Sequence, residues 1–124
     1  IESLADSCYN LAKTLVRKRE KKVWFDTPLR ENIIQMLELA GKSLKEMQKN
    51  LDQGYKNINI AHAQEIEEKI NRFRTKLKKE HLKNVEKKEY SYQTGIIYND
   101  LVCECEKLGD YAINVSEAIE EVNH

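Results

Sequence analysis

Glu2, Asp6 and Asn10 stand four residues apart near the start of the chain, and Glu106, Asp110 and Asn114 repeat the same types at the same spacing near its end. On a helix, a four-residue step stacks side chains one turn apart, with Cβ atoms about 5–6 Å from each other. Each carboxylate pair can therefore reach one point in space. Like charges so placed disfavour an isolated helix by roughly 0.2–0.5 kcal/mol unless a cation lies between them, which makes cation binding the chemistry to consider. Oxygen donors without imidazole or thiolate suit hard ions such as iron(III), manganese, magnesium or calcium. The same spacing also suits an ordinary solvated helix face, which needs no ion.

The repeat extends to the apolar positions. Aligning the two segments pairs Ile1 with Cys105, Leu4 with Leu108, Cys8 with Ala112, Leu11 with Val115 and Leu15 with Ile119, so core and polar faces agree in phase. A small residue precedes each aspartate, Ala5 in one copy and Gly109 in the other. Glycine inside a helix costs about 1 kcal/mol relative to alanine, so Gly109 predicts a close backbone approach, with a helix crossing as the first explanation.

Four amphipathic helices must position these groups. The first is expected over residues 1–22, with Ile1, Leu4, Cys8, Leu11 and Leu15 on its buried stripe and Arg17 to Lys22 at the negative end of its dipole. Thr27 as N-cap and Pro28 at the first helical position open a second helix over 28–52, with a core face of Leu29, Ile33, Met36, Ala40, Leu44, Met47 and Leu51. Gly54 and Asn57 supply the turn after it. The third, over 60–86, buries Ala63, Ile66, Ile70, Phe73 and Leu77 and ends in a lysine-rich, solvated tail. The fourth, over 92–122, carries the clearest apolar seam, from Tyr98, Leu101, Cys105 and Leu108 to Val122. Four such stripes bury one another most simply in an all-α, antiparallel up-down four-helix bundle forming a single domain over residues 1–124.

Composition excludes several alternatives. One proline and four glycines in 124 residues argue against a β-rich fold. Equal totals of 21 basic and 21 acidic side chains give no global field for nucleic acid, so a nucleic-acid partner is not expected. Three cysteines in periodic segments read as reduced thiols, and hence a cytoplasmic setting. No apolar run approaches the roughly 20 residues that span a bilayer. The hydrophobic pattern is already in phase at Ile1, as expected of a fragment of a larger protein.

Enzymatic readings find little purchase. Cys8 and Cys105 fall on the expected core stripes, where a thiol packs as a small hydrophobe, while Cys103 turns toward the outer face near Glu106. His62 and His81 read as isolated and exposed. A ferritin-like di-metal centre needs Glu-x-x-His pairs aimed into the core, and the single such spacing is Glu121 with His124 at the end of the chain. The chain has no glycine-rich phosphate loop. A metal-free interaction domain, docking through its polar faces and the Lys76 to Lys88 cluster on a protein or a membrane surface, is the principal alternative to a metal-binding one.

Residues 104–118 resemble the signature of the PhoU family of phosphate-response proteins, Glu-Arg-Ile-Gly-Asp-x-Ala-x-Asn-Ile-Ala-Glu, matching it at Glu106, Gly109, Asp110, Ala112 and Asn114. Residues 1–15 resemble a degraded copy of it. That family is built from two repeats of three helices, so the resemblance implies one complete repeat preceded by the last helix of another. It further implies regulation of phosphate transport or signalling without catalysis, through a protein partner or through a sodium/phosphate cotransporter domain on the same chain at the inner face of the plasma membrane, with a homodimer as a further option. It also implies multinuclear iron or another hard divalent or trivalent cation, held by Glu106 and Asp110, by Glu2 and Asp6, and by Glu67 on the middle helix. Asn71 stands where the companion aspartate of Glu67 would be, a neutral amide in place of a charged ligand.

Overall fold

A computed structural model describes residues 2–53 and 60–123, with side chains from Leu4 to Gln53 and from Ile60 to Glu121. Among the described residues all regular structure is helical: α1 (Glu2–Glu20), α2 (Thr27–Asp52), α3 (Ile60–Glu86) and α4 (Tyr92–Asn123). These bounds fall within two residues of those expected from periodicity. The turn assigned to Gly54 and Asn57 lies outside the described residues.

The cap of α2 is a correction. Asp26, not Thr27, takes the N-cap position with extended backbone, and its carboxylate accepts from the Leu29 amide at 3.1 Å. Thr27 is already helical, and Pro28 follows where an amide would have no intrahelical partner. At the start of α4, the Ser91 hydroxyl accepts from the Thr94 amide at 3.1 Å and serves the same purpose.

Helix α4 is the element against which the other three pack, while α2 and α3 also pack on each other. Two hydrogen bonds fix its direction relative to α2: Asn32 Nδ2 donates to Tyr98 Oη at 3.1 Å and Asn50 Nδ2 to Ser116 Oγ at 3.0 Å. Both join residues 66 apart, so α2 and α4 run parallel. Arg74 meets Glu106 while His81 stacks toward Tyr98, so α3 runs antiparallel to α4. Ser7 meeting Glu104 and Arg17 meeting Asp100 give α1 the same antiparallel sense. The succession is up-down-up-down, as the four-helix bundle requires.

The core lies where α2, α3 and α4 converge, on Met36, Ile70, Leu77, Ile97, Leu101 and Cys105, all nearly inaccessible to solvent. Gly109 marks the closest approach. A Cβ on Gly109 would lie 2.7 Å from Ile70 Cδ1, so the helix crossing expected from this glycine is present and is with α3.

Two stripes turn differently from the periodic reading. On α1 the buried residues are Leu4, Ser7 and Thr14, with Leu11 partly covered, whereas Cys8 and Leu15 face solvent. With α4 as its helix neighbour, α1 buries a narrow face, and Thr14 is accommodated there because its hydroxyl donates to the Asn10 carbonyl at 2.8 Å. In the second half of α2, Ser43, Glu46 and Asn50 are buried, while Leu44 and Met47 are half-covered and Leu51 is exposed. The Asn50–Ser116 hydrogen bond lies inside this half and gives the polar face a reason to turn inward.

Helices α1 and α3 end in the same way. The Val23 amide reaches back to the Lys18 carbonyl and the Lys22 amide to Arg19; Glu89 and Lys88 do likewise to Asn84 and Val85. This is the double hydrogen bond of a Schellman cap, whose left-handed residue is Lys22 (φ 54) in one case and Lys88 (φ 55) in the other. Glycine is the usual occupant because a Cβ there costs about 1–2 kcal/mol. Lys22→Gly and Lys88→Gly should each raise stability by about 0.5–1 kcal/mol, read as an increased urea midpoint with unchanged slope. Gly109→Ala should lower it by about 1 kcal/mol despite the gain in helix propensity. Adding Ile70→Val, which removes the obstructing methyl, should make the double variant less destabilised than the two single effects combined.

Candidate functional site

Glu67, Glu106 and Asp110 come together on the outer edge of the α3–α4 interface. Two physical demands place them there. The core seam of α4 passes through Cys105, Leu108 and Ala112, so the residues just after and before these positions lie at the boundary between α3 and solvent. The Gly109 crossing then draws α3 close enough for its own boundary residues, Glu67 and Arg74, to face them.

Arg74 Nε binds Glu106 Oε2 at 2.9 Å, with the carboxylate more deeply covered than the guanidinium. Burial raises the Glu106 carboxyl above its ordinary value, Arg74 works against that rise, and Asp110 adds to it. Glu67 is raised as well, first by burial and then by the charges of Asp110 and Glu117, with the Asp110 side chain close enough to add to the rise by contact. Asn114 is exposed, as is Asn71, one turn beyond Glu67; the Asn71 carbonyl accepts from Thr75 Oγ1 at 2.9 Å.

The first copy of the repeat is placed differently. Asp6 is exposed on α1, and the side chain of Glu2 lies outside those described. Next to Asp6, Ser7 is buried against α4 and donates to Glu104 Oε2 at 3.0 Å. The structure therefore gathers Glu67, Glu106 and Asp110 at α3 and α4, while Asp6 belongs to the α1 surface. Among the described residues, no three His, Cys, Asp or Glu side chains converge closely enough to hold one metal ion.

Arg74, the strongest partner at this patch, is a residue that the sequence reading missed. Its signal was its position seven residues after Glu67, two turns along the same face of α3. A second group also went unrecognised. His81 is half-buried, not exposed: its ring stacks on Tyr90 with centroids 5.7 Å apart and an interplanar angle of 17°, and its Nδ1 shares a hydrogen bond with Tyr90 Oη. Burial lowers the His81 pKa, which disfavours the protonated ring. Gly95 permits this stack, since a Cβ there would lie 3.1 Å from the Tyr90 ring. His62 lies 3.6 Å from Glu46, a nearly buried carboxylate on α2.

Among the thiols, Cys105 is fully buried and its pKa is pushed up to about 12, first by burial and then by Glu104. Burial also raises Cys103, with the Arg74 charge pulling the other way. Cys8, expected on the core stripe, is exposed. The possible Glu121 and His124 pair cannot be placed together, because His124 lies outside the described residues. No helix among the described residues is long and apolar enough to cross a membrane. Comparison of the chain with protein-family models, with curated proteins and with solved structures finds no match in any of the three.

The Glu67 environment has a direct consequence for stability. A carboxyl whose folded pKa is raised favours folding at low pH, and the favour is lost as pH rises through the folded value. Glu67→Gln should therefore raise the melting temperature at pH 7, because it removes a charge opposed by burial and by Asp110 and Glu117. The difference should close as pH falls below the ordinary value of 4.5, where the glutamate is protonated in both states. Thermal melts across that range measure it.

Proposed function

We propose that this chain is a non-enzymatic, PhoU-like regulatory domain in phosphate uptake or phosphate signalling, acting at the inner face of the plasma membrane through contacts with a protein partner or with a transporter domain on its own chain. What carries the reading is the Glu106, Gly109, Asp110, Ala112 motif, in which each residue has a physical task. Gly109 admits Ile70, Ala112 is buried beside it, and Glu106 and Asp110 occupy the edge that this crossing creates. The motif is thus a packing device that holds an acidic edge in fixed register with α3. Such an edge suits recognition of a cationic partner surface better than it suits bond-breaking, since the nearby thiols are held protonated by burial.

Metal binding is a second reading, favoured by the contact between the Glu67 and Asp110 carboxyls. These two residues would supply hard oxygen ligands, and a bound ion would relieve their repulsion and give the edge a fixed positive charge. The fit is partial, because Arg74 already neutralises Glu106 and Asn71 offers no charge. We infer that regulation by docking does not require the ion.

Phosphate uptake by cells carrying the chain in its natural context provides the test. The Glu106→Gln, Asp110→Asn variant should alter the response of uptake to phosphate supply by severalfold, while Lys45→Gln on α2 should leave it unchanged. An unaltered response in cells lacking the domain altogether would dismiss the regulatory reading. Elemental analysis of untagged protein addresses the second reading: near-stoichiometric metal lost in the Glu67→Gln, Asp110→Asn variant would establish the ion, and metal-free protein with a full uptake response would eliminate it.

A further inference from the structure

The bundle is electrically lopsided although the chain is neutral. Residues 13–34 and 76–100 carry thirteen Lys and Arg against seven Asp and Glu, leaving eight against fourteen in the rest of a chain whose totals are 21 and 21. These two stretches occupy one end of the molecule. There α1 stops and α2 begins, α3 stops and α4 begins, and the two connections are tied together by an aromatic cluster. Phe25 meets Tyr98 edge-on at 5.8 Å, and Tyr98 lies 6.4 Å from Tyr90. On α3, Lys83 near the basic tip stands 16 residues beyond Glu67, about 24 Å along the helix. With a Debye length of about 8 Å at physiological salt, the acidic end does not cancel the field of the basic one.

The same end exposes large apolar side chains. Trp24 is 73% exposed and Tyr92 85%, and Leu82, Val85 and Ile96 are exposed beside Tyr92. Leu82, Val85, Tyr92 and Ile96 rim an apolar groove of about 420 Å³ whose edge includes Lys88. The exposure of Trp24 follows from its neighbours: Val23 and Phe25 are both buried, and in an extended segment the residue between two inward side chains must point out. Arg30 lies over the Trp24 ring, 4.7 Å from its centre. At both connections, the left-handed residue of the cap is a lysine, Lys22 in one and Lys88 in the other.

We propose that this end of the bundle docks on an anionic phospholipid bilayer, with Trp24, Tyr92 and the Leu82 and Val85 patch entering the interfacial layer while the surrounding lysines meet lipid phosphates. Charge complementarity selects the partner. A nucleic-acid backbone would use the lysines and leave the aliphatic residues unsatisfied. A bilayer interface takes both, because Trp and Tyr favour the headgroup level and aliphatic side chains the acyl boundary just below it. Each lysine near an anionic leaflet contributes about 1 kcal/mol, close to a fivefold change in affinity. The acidic end, with the Glu67 and Asp110 edge, then points away from the bilayer. This inference stands apart from the phosphate-regulatory reading, since it draws on the opposite end of the molecule.

Trp24 is the single tryptophan of the chain, so its fluorescence reports the docking directly. The chain should sediment with vesicles of phosphatidylglycerol mixed with phosphatidylcholine, shift its Trp24 emission to the blue as it does so, and ignore vesicles of phosphatidylcholine alone. Lys83→Gln, Lys87→Gln and Lys88→Gln combined should weaken binding roughly a hundredfold, about fivefold for each charge. Lys45→Gln with Lys49→Gln, on the far half of α2, should leave it unchanged. Tyr92→Ser, at a position facing solvent, supplies an independent weakening in a protein whose fold circular dichroism verifies. Failure to sediment with the anionic vesicles, equal sedimentation with neutral ones, an unshifted Trp24 emission on binding, or equal weakening by the two lysine sets would each overturn the proposal.

Discussion

The contact of Gly109 with Ile70 is the constraint on which the arrangement depends. Helix α4 serves three neighbours, and it can do so only if its surface is narrow where α3 crosses it. Glycine at that point lets Ile70 seat against bare backbone, with Leu108, Ala112 and Cys105 closing around it at nearly zero exposure. Because α3 is thereby drawn in, Arg74 reaches Glu106 and Glu67 reaches Asp110. The acidic edge is a by-product of tight packing, and its electrostatics follow from burial more than from the number of charges.

Much of this was legible before any coordinates. Helices α3 and α4 carry one dominant apolar stripe each, so periodicity identified Ile66, Ile70, Leu77, Leu101, Cys105 and Leu108 as core. Gly109 announced a close approach because it sits beside the apolar seam of α4, whereas Gly41, equally deep in α2, meets no neighbour at all. The reading failed where a helix has fewer neighbours or a polar core. On α1, both Leu4–Cys8–Leu15 and Leu4–Ser7–Thr14 are helical stripes, and hydrophobicity alone favours the wrong one. The right one is chosen by a single packing partner and by hydroxyls that satisfy themselves locally. The second half of α2 repeats the lesson, since Asn50 is buried by virtue of Ser116, a residue 66 positions away that no local pattern reveals.

The candidate site divides in the same manner. Glu106 and Asp110 were visible as a spaced pair, and Glu67 as their companion, because i and i+4 relations are local. The pairing of Glu106 with Arg74 and the closeness of Glu67 to Asp110 depend on which faces of α3 and α4 meet, which is a tertiary fact. The His81 and Tyr90 stack was hidden for the same reason, with Gly95 as its one sequence trace. The resemblance of the 104–118 segment to a phosphate-response signature supplied what spacing could not, a reason to regard the acidic pair as more than a solvated surface.

The solitary attachment of α1 has a mechanical meaning. The other three helices form a triangular core of α2, α3 and α4 around Met36, Ile70 and Leu101, with α1 laid against α4. Helix α1 resembles a stave held to a barrel along one seam, through Leu4, Ser7 and the Arg17–Asp100 pair. Loss of that one seam would remove every helix–helix contact that α1 makes among the described residues. Cys8, facing outward on it, and Cys105, fully buried, mark the two layers this makes: a helix attached along one face, and the core it is attached to.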